Sequence, residues 1–135
     1  MMGIDLGTKN IGVALSDETC TLAQGRGVIP RGDGAQAIAK IKEMIKEYGV
    51  KEIIVGLPLN MDGSEGPRAA DSRKFSERLK EETALPVRLW DERLSTKEAE
   101  DVMRQALMTR KKRKNVIDKM AAQLILQGYL DSLRR

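Results

Sequence analysis

Asp5, Glu92 and Asp118 are the side chains most able to do chemistry in a chain of 135 residues with no histidine and one cysteine. Histidine is the usual general base, and zinc sites draw on Cys and His. Chemistry here must therefore run on carboxylates, lysines, hydroxyls or oxygen-bound cations. Hard oxygen ligands select Mg²⁺ or Mn²⁺, and a carboxylate cluster that holds two such ions is a common device for in-line phosphodiester displacement. Three carboxylates brought together from two strands and a helix would form such a cluster.

Each acid has a plainer reading. Asp5 lies in Gly3-Ile4-Asp5-Leu6-Gly7-Thr8-Lys9-Asn10-Ile11-Gly12-Val13-Ala14-Leu15-Ser16-Asp17, which reads as two strands and a tight turn. Strand side chains alternate between faces, so Ile4, Leu6, Ile11, Val13 and Leu15 form a greasy face. The other face is nearly bare and carries Asp5. Glycine weakens a strand unless something must approach its backbone; a bulky ligand beside Asp5 would supply that reason, and an edge hairpin with a solvated Asp would not need one. Glu92 follows the apolar Val87–Trp90 run, at a strand's carboxyl end, where open α/β sheets place ligands; an ion pair with Arg93 or Lys97 would also account for it. Asp118 falls on the apolar side of the last helix beside Ala121, Ala122 and Ile125. An unpaired carboxylate is costly there, unless it caps a helix that begins later.

The elements that must position these acids alternate between strand and helix. Thr21–Pro30 is a weak third strand. Asp33 with Gln36 offers a capping box for a helix carrying Ile38, Ile41, Met44, Ile45 and Tyr48, and Gly49 is placed to end it. Lys51–Pro58 is a short, continuous apolar run stopped by proline, a pattern that suits a buried parallel strand. Asn60–Pro67 is the clearest loop, and Pro67 opens a second helix with Phe75 and Leu79 as a thin stripe. Pro86–Glu92 is a further strand. Ser95 with Glu98 starts a helix through Leu107. The basic run Arg110, Lys111, Lys112, Arg113 and Lys114 then breaks the apolar spacing, and a last helix covers about Asn115 to Leu133. On that helix Lys119, Gln123, Gln127 and Arg134 gather on one side.

Composition bounds the class. Length fits one domain, 1–135, of the α/β type. No apolar run approaches the ~20 residues of a membrane span, and no secretory signal is visible. A lone Cys20 excludes an internal disulfide and suits the cytoplasm. The net charge of +4 leans toward polyanionic partners.

Four motifs in order, GIDLGTKNIGVALSD, IIVGLPLNMDG, DERLST and IDKMAAQLILQGYLD, resemble the YqgF (RuvX) family of Holliday-junction-resolvase-like pre-16S rRNA nucleases along the whole chain. The resemblance implies a ribonuclease-H-like fold: a five-stranded mixed sheet, its second strand antiparallel, flanked by helices. It implies an acidic triad at Asp5, Glu92 and Asp118 that is catalytic and binds two Mg²⁺ or Mn²⁺ ions. Pre-rRNA is the favoured substrate, with a DNA junction as the alternative, for which a homodimer would be needed. Candidate nucleic-acid contacts are Lys9, Arg68 and the Arg110–Lys114 run, the latter either a binding flap or a linker. Amides of the Gly63–Gly66 loop are candidate phosphate donors. Asn10 stands where the family usually has arginine. Competing readings are a non-catalytic RNA-binding assembly factor and, remotely, one lobe of an actin-like ATPase.

Overall fold

The computed structural model describes residues 1–92 and 110–133, with side chains in the last helix described from Met120 onward. Five strands, β1 (Met2–Leu6), β2 (Asn10–Ser16), β3 (Ala23–Pro30), β4 (Ile53–Leu57) and β5 (Val87–Asp91), form one sheet in the order β3-β2-β1-β4-β5. β2 is antiparallel to β1 and β3, whereas β4 is parallel to β1 and β5. This is the expected mixed sheet of the ribonuclease-H-like fold. Three helices pack on it among the described residues: α1 (Ala35–Tyr48), α2 (Pro67–Thr83) and α3 (Arg110–Ser132). The expected helix from Ser95 to Leu107 lies outside the described residues.

The greasy face of the hairpin forms as its alternation predicts. Ile4, Leu6, Ile11, Val13 and Leu15 are buried with Ile38 and Ile41 of α1 and Phe75 and Leu79 of α2. On the opposite face Ala14 and Ile54 pack against Ala122, Ile125, Leu126 and Leu130 of α3. The buried stripe of α3 therefore runs through residues 122, 125, 126 and 130, and Leu133 is exposed. The bare face is bare for the sake of this helix: a Cβ on Gly3 would lie 2.7 Å from the Leu126 Cβ. At Gly3, then, the neighbour that requires glycine is protein, not a ligand.

Three local expectations need correction. Asp33 and Gln36 form no capping box: the N-cap of α1 is Gly34, without a side-chain cap, and the Asp33 carboxylate accepts from the Ala35 amide at 3.0 Å. Gly34 sits at φ 92°, a conformation that disfavours side chains. Tyr48 is exposed rather than part of the core, and the Arg26 guanidinium lies 5.5 Å from its ring centroid. The basic run does not precede the last helix; Arg110–Lys114 are its first residues. Lys and Arg are good helix formers, and like-charge pairs cost only tenths of a kcal/mol. Extending an established helix is therefore favourable there.

Candidate active site at the strand tips

β1, β4 and β5 run parallel, so their carboxyl ends share one edge of the sheet. Asp5 projects half-buried from β1, opposite Gly12 on β2. Glu92 follows β5 directly and is also half-buried. Two strand spacings separate β1 from β5, about 10 Å, and β4 lies between. Glu92 reaches across it because the intervening residue is Gly56: a Cβ there would collide with Glu92 Oε1 and sit 2.5 Å from Ile125 Cδ1. The two carboxyl groups share a hydrogen bond.

Burial, and then the neighbouring Asp5 charge, push the Glu92 carboxyl up to about 7. Arg68, in the first turn of α2, acts in the opposite direction on Glu92 and also helps to hold Asp71 below the usual carboxylate range. The largest influence on Asp71 is Arg31, which donates to both its oxygens at 2.8 and 2.6 Å. Arg31 also donates to the Gly7 carbonyl at 2.9 Å. One guanidinium thus ties the hairpin turn just past Asp5 to α2. Neither Arg31 nor Asp71 was expected from the sequence. Gly56 was legible in principle, as a glycine inside an otherwise aliphatic strand.

The remaining candidates divide. Lys9 is exposed in the hairpin turn at the same edge, and Arg68 is exposed near Glu92. The Gly63–Gly66 loop is largely committed to itself. Gly63 donates to the Asn60 carbonyl and Ser64 to Asp62 Oδ1, both at 2.9 Å, while Glu65 pairs with Arg73. Two of its amides are thus occupied, which removes them as phosphate donors. Asp118 lies well inside α3, so it is no N-cap; its side chain and those of Arg110–Lys114 lie outside the described residues. The alternative partners of Glu92, Arg93 and Lys97, lie there too. Among the described residues the acids form a pair, with no group of three that could hold a metal ion.

The RuvX family profile, described as Holliday junction resolvase, matches residues 1–132. A "Putative pre-16S rRNA nuclease" of Halothermothrix orenii is 53% identical over 97% of this chain and 94% of its own length. One of the same name from Geobacillus kaustophilus is 53% identical over 98% of both chains. Among solved structures, T. thermophilus RuvC in complex with Holliday junction substrate superimposes with a TM-score of 0.62 at 14% identity. It covers 97% of this chain and 94% of that one. The Fowlpox virus resolvase in complex with Holliday junction DNA gives 0.53 at 14% identity, over 99% and 98%. At such identities these structures speak for the fold alone.

Proposed function

Because the chain belongs to the RuvX family, we propose that it is a nuclease that hydrolyses phosphodiester bonds at the strand tips, with the 5′ end of pre-16S rRNA as its substrate. The observation that carries the site is the Asp5–Glu92 pair, two carboxyl groups brought together across a glycine. A half-buried carboxyl that keeps its proton up to about 7 beside a second carboxylate is a place where a cation can replace the proton. Its donors are all oxygen, which fits Mg²⁺ or Mn²⁺. Asp5, Glu92 and Asp118 would hold two such ions. When bound, divalent ions in such a site would lower the pKa of water so that its deprotonated form can attack phosphorus, and would stabilise the leaving oxygen.

The chain's own residues supply the rest. Gly56 leaves Glu92 room, and Ile125 of α3 packs over the same glycine. Arg68 and Lys9 at the same edge would engage substrate phosphates on either side of the scissile bond. The Arg110–Lys114 run, as the start of α3, brings five cations to the helix that carries Asp118, and would contact the backbone without reading sequence. In this reading residues 1–135 act as one nuclease domain in the cytoplasm. No described helix is long and apolar enough to cross a membrane.

A four-way DNA junction is the second reading, favoured by the description of the family; paired nicks would then require a homodimer. The deciding experiment presents purified protein with a pre-16S rRNA 5′ fragment and a DNA junction side by side, with Mg²⁺, Mn²⁺ or EDTA. Metal-dependent cleavage of the RNA, lost in Asp5→Asn, is the expected result. Cleavage that survives Asp5→Asn overturns the site. Binding without cleavage returns the protein to an assembly factor, and ATP turnover without nucleic acid to the actin-like reading.

A further inference from the structure

A cleft of about 230 Å³ opens between the start of α1 and one face of α2, lined by Arg31, Gly32, Asp33, Asp71, Lys74 and Arg78 among others. It lies at the same edge of the sheet as the acidic pair, on the opposite face. Its charges are unevenly committed. Asp71 is taken by the two-pronged contact from Arg31, and Asp33 by the Ala35 amide. Lys74 makes no ion pair among the described residues, although it is close enough to help depress the Asp71 carboxyl. Arg78 has only a loose pair, 3.7 Å from Glu82, and donates to the Asp33 carbonyl at 3.1 Å.

The Arg78 guanidinium lies close over the start of α1: a Cβ on Gly34, a position whose φ of 92° already favours glycine, would meet Nη1 at 2.7 Å. Arg31 offsets Asp71, and Lys74 with Arg78 outweigh the remaining Asp33 charge, so the cleft keeps a small positive excess in a space several times the ~30 Å³ of a water molecule. It is also connected to the acidic pair. Arg68, Asp71, Lys74 and Arg78 recur at helical spacing along one face of α2. Arg68 acts on Glu92 at one end and on Asp71 at the other. Residues 68 to 78 span about 15 Å of helix, more than one nucleotide step.

We propose that the cleft formed by Arg31, Lys74 and Arg78 is a second backbone subsite, which holds a phosphodiester of the same strand whose scissile bond lies at Asp5 and Glu92. This rests on the nuclease reading above and extends it to where the strand leaves the site. The recognised chemistry is the phosphodiester anion, common to RNA and DNA. Lys74 and Arg78 supply the charge, and Arg31, held by Asp71 and Gly7, forms the wall.

The test measures binding in EDTA of the wild-type chain and Lys74→Gln/Arg78→Gln to labelled single strands of about 16 and about 4 nucleotides, a usual range of site sizes. Each length is prepared as RNA and as DNA. Lys40→Gln/Lys42→Gln, two exposed lysines of α1, controls for loss of general positive charge, and circular dichroism checks each fold. The expected result is about tenfold weaker binding of the long strand by the cleft variant, with the salt slope shallower by about 0.7 for the one phosphate no longer neutralised. RNA and DNA should lose equally, and the short strand should lose as well because it carries the same anion, while the control variant should stay within about twofold of wild type. An unchanged affinity and slope overturns the subsite, as does an equal loss in the control. If the wild-type chain binds neither nucleic acid, in EDTA or with Mg²⁺, the nuclease reading falls and takes the subsite with it. If the wild type binds and the cleft variant binds alike, only the subsite falls.

Discussion

On the face covered by α1 and α2, strands β1 and β2 present Ile4, Leu6, Ile11, Val13 and Leu15, each filling space with its own side chain. On the face covered by α3 the same strands present Gly3, Asp5, Gly12 and Ala14, and β4 adds Gly56. There the space is filled by the helix, which approaches close enough for a single added methyl group at Gly3 to collide with Leu126. The first face stabilises by area removed from water. The second sacrifices some of that area to admit a helix and two carboxyl groups. A charged site needs wall without bulk, so the acids stand on the side where the strands carry little.

The contrast predicts that activity and stability separate by face. Asp5→Asn should abolish cleavage while melting at or above the wild-type temperature, because the amide keeps an acceptor oxygen for Glu92 and removes a charge beside a half-buried carboxyl group. Leu79→Ala, from a fully buried position on the other face, should cost about 2–5 kcal/mol of stability and leave the specific activity of the folded fraction near wild type. Denaturant melts and cleavage assays on both variants check this. An unfolded Asp5→Asn would mean that the acid is structural and the faces do not divide the labour.

Close approach can be measured directly. Alanine normally improves on glycine within a strand by roughly 0.5–1 kcal/mol. Gly3→Ala and Gly56→Ala should reverse that sign and cost about 1–3 kcal/mol by overpacking. Gly27, where an added Cβ meets nothing within 4 Å, should show the ordinary sign when changed to Ala. Gly56→Ala should also displace Glu92 and suppress cleavage, which Gly3→Ala should only weaken. A neutral Gly56→Ala with full activity would show that Glu92 does not depend on that gap.

A smaller effect concerns pH. The folded Glu92 carboxyl sits at about 7, above its ordinary 4.5, chiefly through burial and secondly through Asp5. Its folded-state proton therefore stabilises below the ordinary carboxyl range, and that contribution is lost as pH rises through about 7. Metal-free protein should lose stability between about pH 5 and 8, Glu92→Gln should flatten that slope, and added Mg²⁺ should offset it at the high end. Melting curves across that range, with EDTA or Mg²⁺, check it. A slope unchanged in Glu92→Gln would place the titration elsewhere.

The two faces were not equally legible in the sequence. Alternation named Ile4, Leu6, Ile11, Val13 and Leu15 of the greasy face, because period two with branched aliphatics has few other readings, but not Met2, which is buried in the same cluster. Pro67 and Gly49 punctuated their helices as expected, since proline and glycine act through local backbone geometry. The small-residue face showed Asp5 and Glu92, but not what lay over the glycines. A bare face records that something approaches and not what it is, and here a helix from the far end of the chain supplies it. Arg31 and Asp71 were missed because their meeting depends on how α2 lies against the hairpin turn, which no local spacing encodes. The capping-box expectation at Asp33 failed because Gly34 and its left-handed backbone took the cap position instead.

The smallest effect tests the outer limit of the α3 face. Gln123 and Gln127 gather on the polar side of α3 by spacing alone, which assigns them no partner. Both in fact turn to β3, an edge strand. Gln127 accepts from the Ala23 amide at 2.8 Å and donates to the Thr21 carbonyl at 3.0 Å, and Gln123 accepts from the Gly25 amide at 3.0 Å. Ala23 and Gly25 pair with Ser16 and Ala14 of β2, and their amides point away from that neighbour, toward where a sixth strand would add. The glutamines occupy donors that would otherwise template another chain. Gln123→Ala/Gln127→Ala should cost about 1 kcal/mol for each bond lost and should leave cleavage intact, since β3 lies far across the sheet from Glu92. It should also raise self-association with concentration, read by sedimentation, whereas Gln123→Glu/Gln127→Glu, which keeps an acceptor oxygen at each amide, should remain dispersed. If the alanine variant stays monomeric at concentrations where the wild type is monomeric, the glutamines serve stability alone and the edge is protected by Pro30 and the irregular register around Arg26.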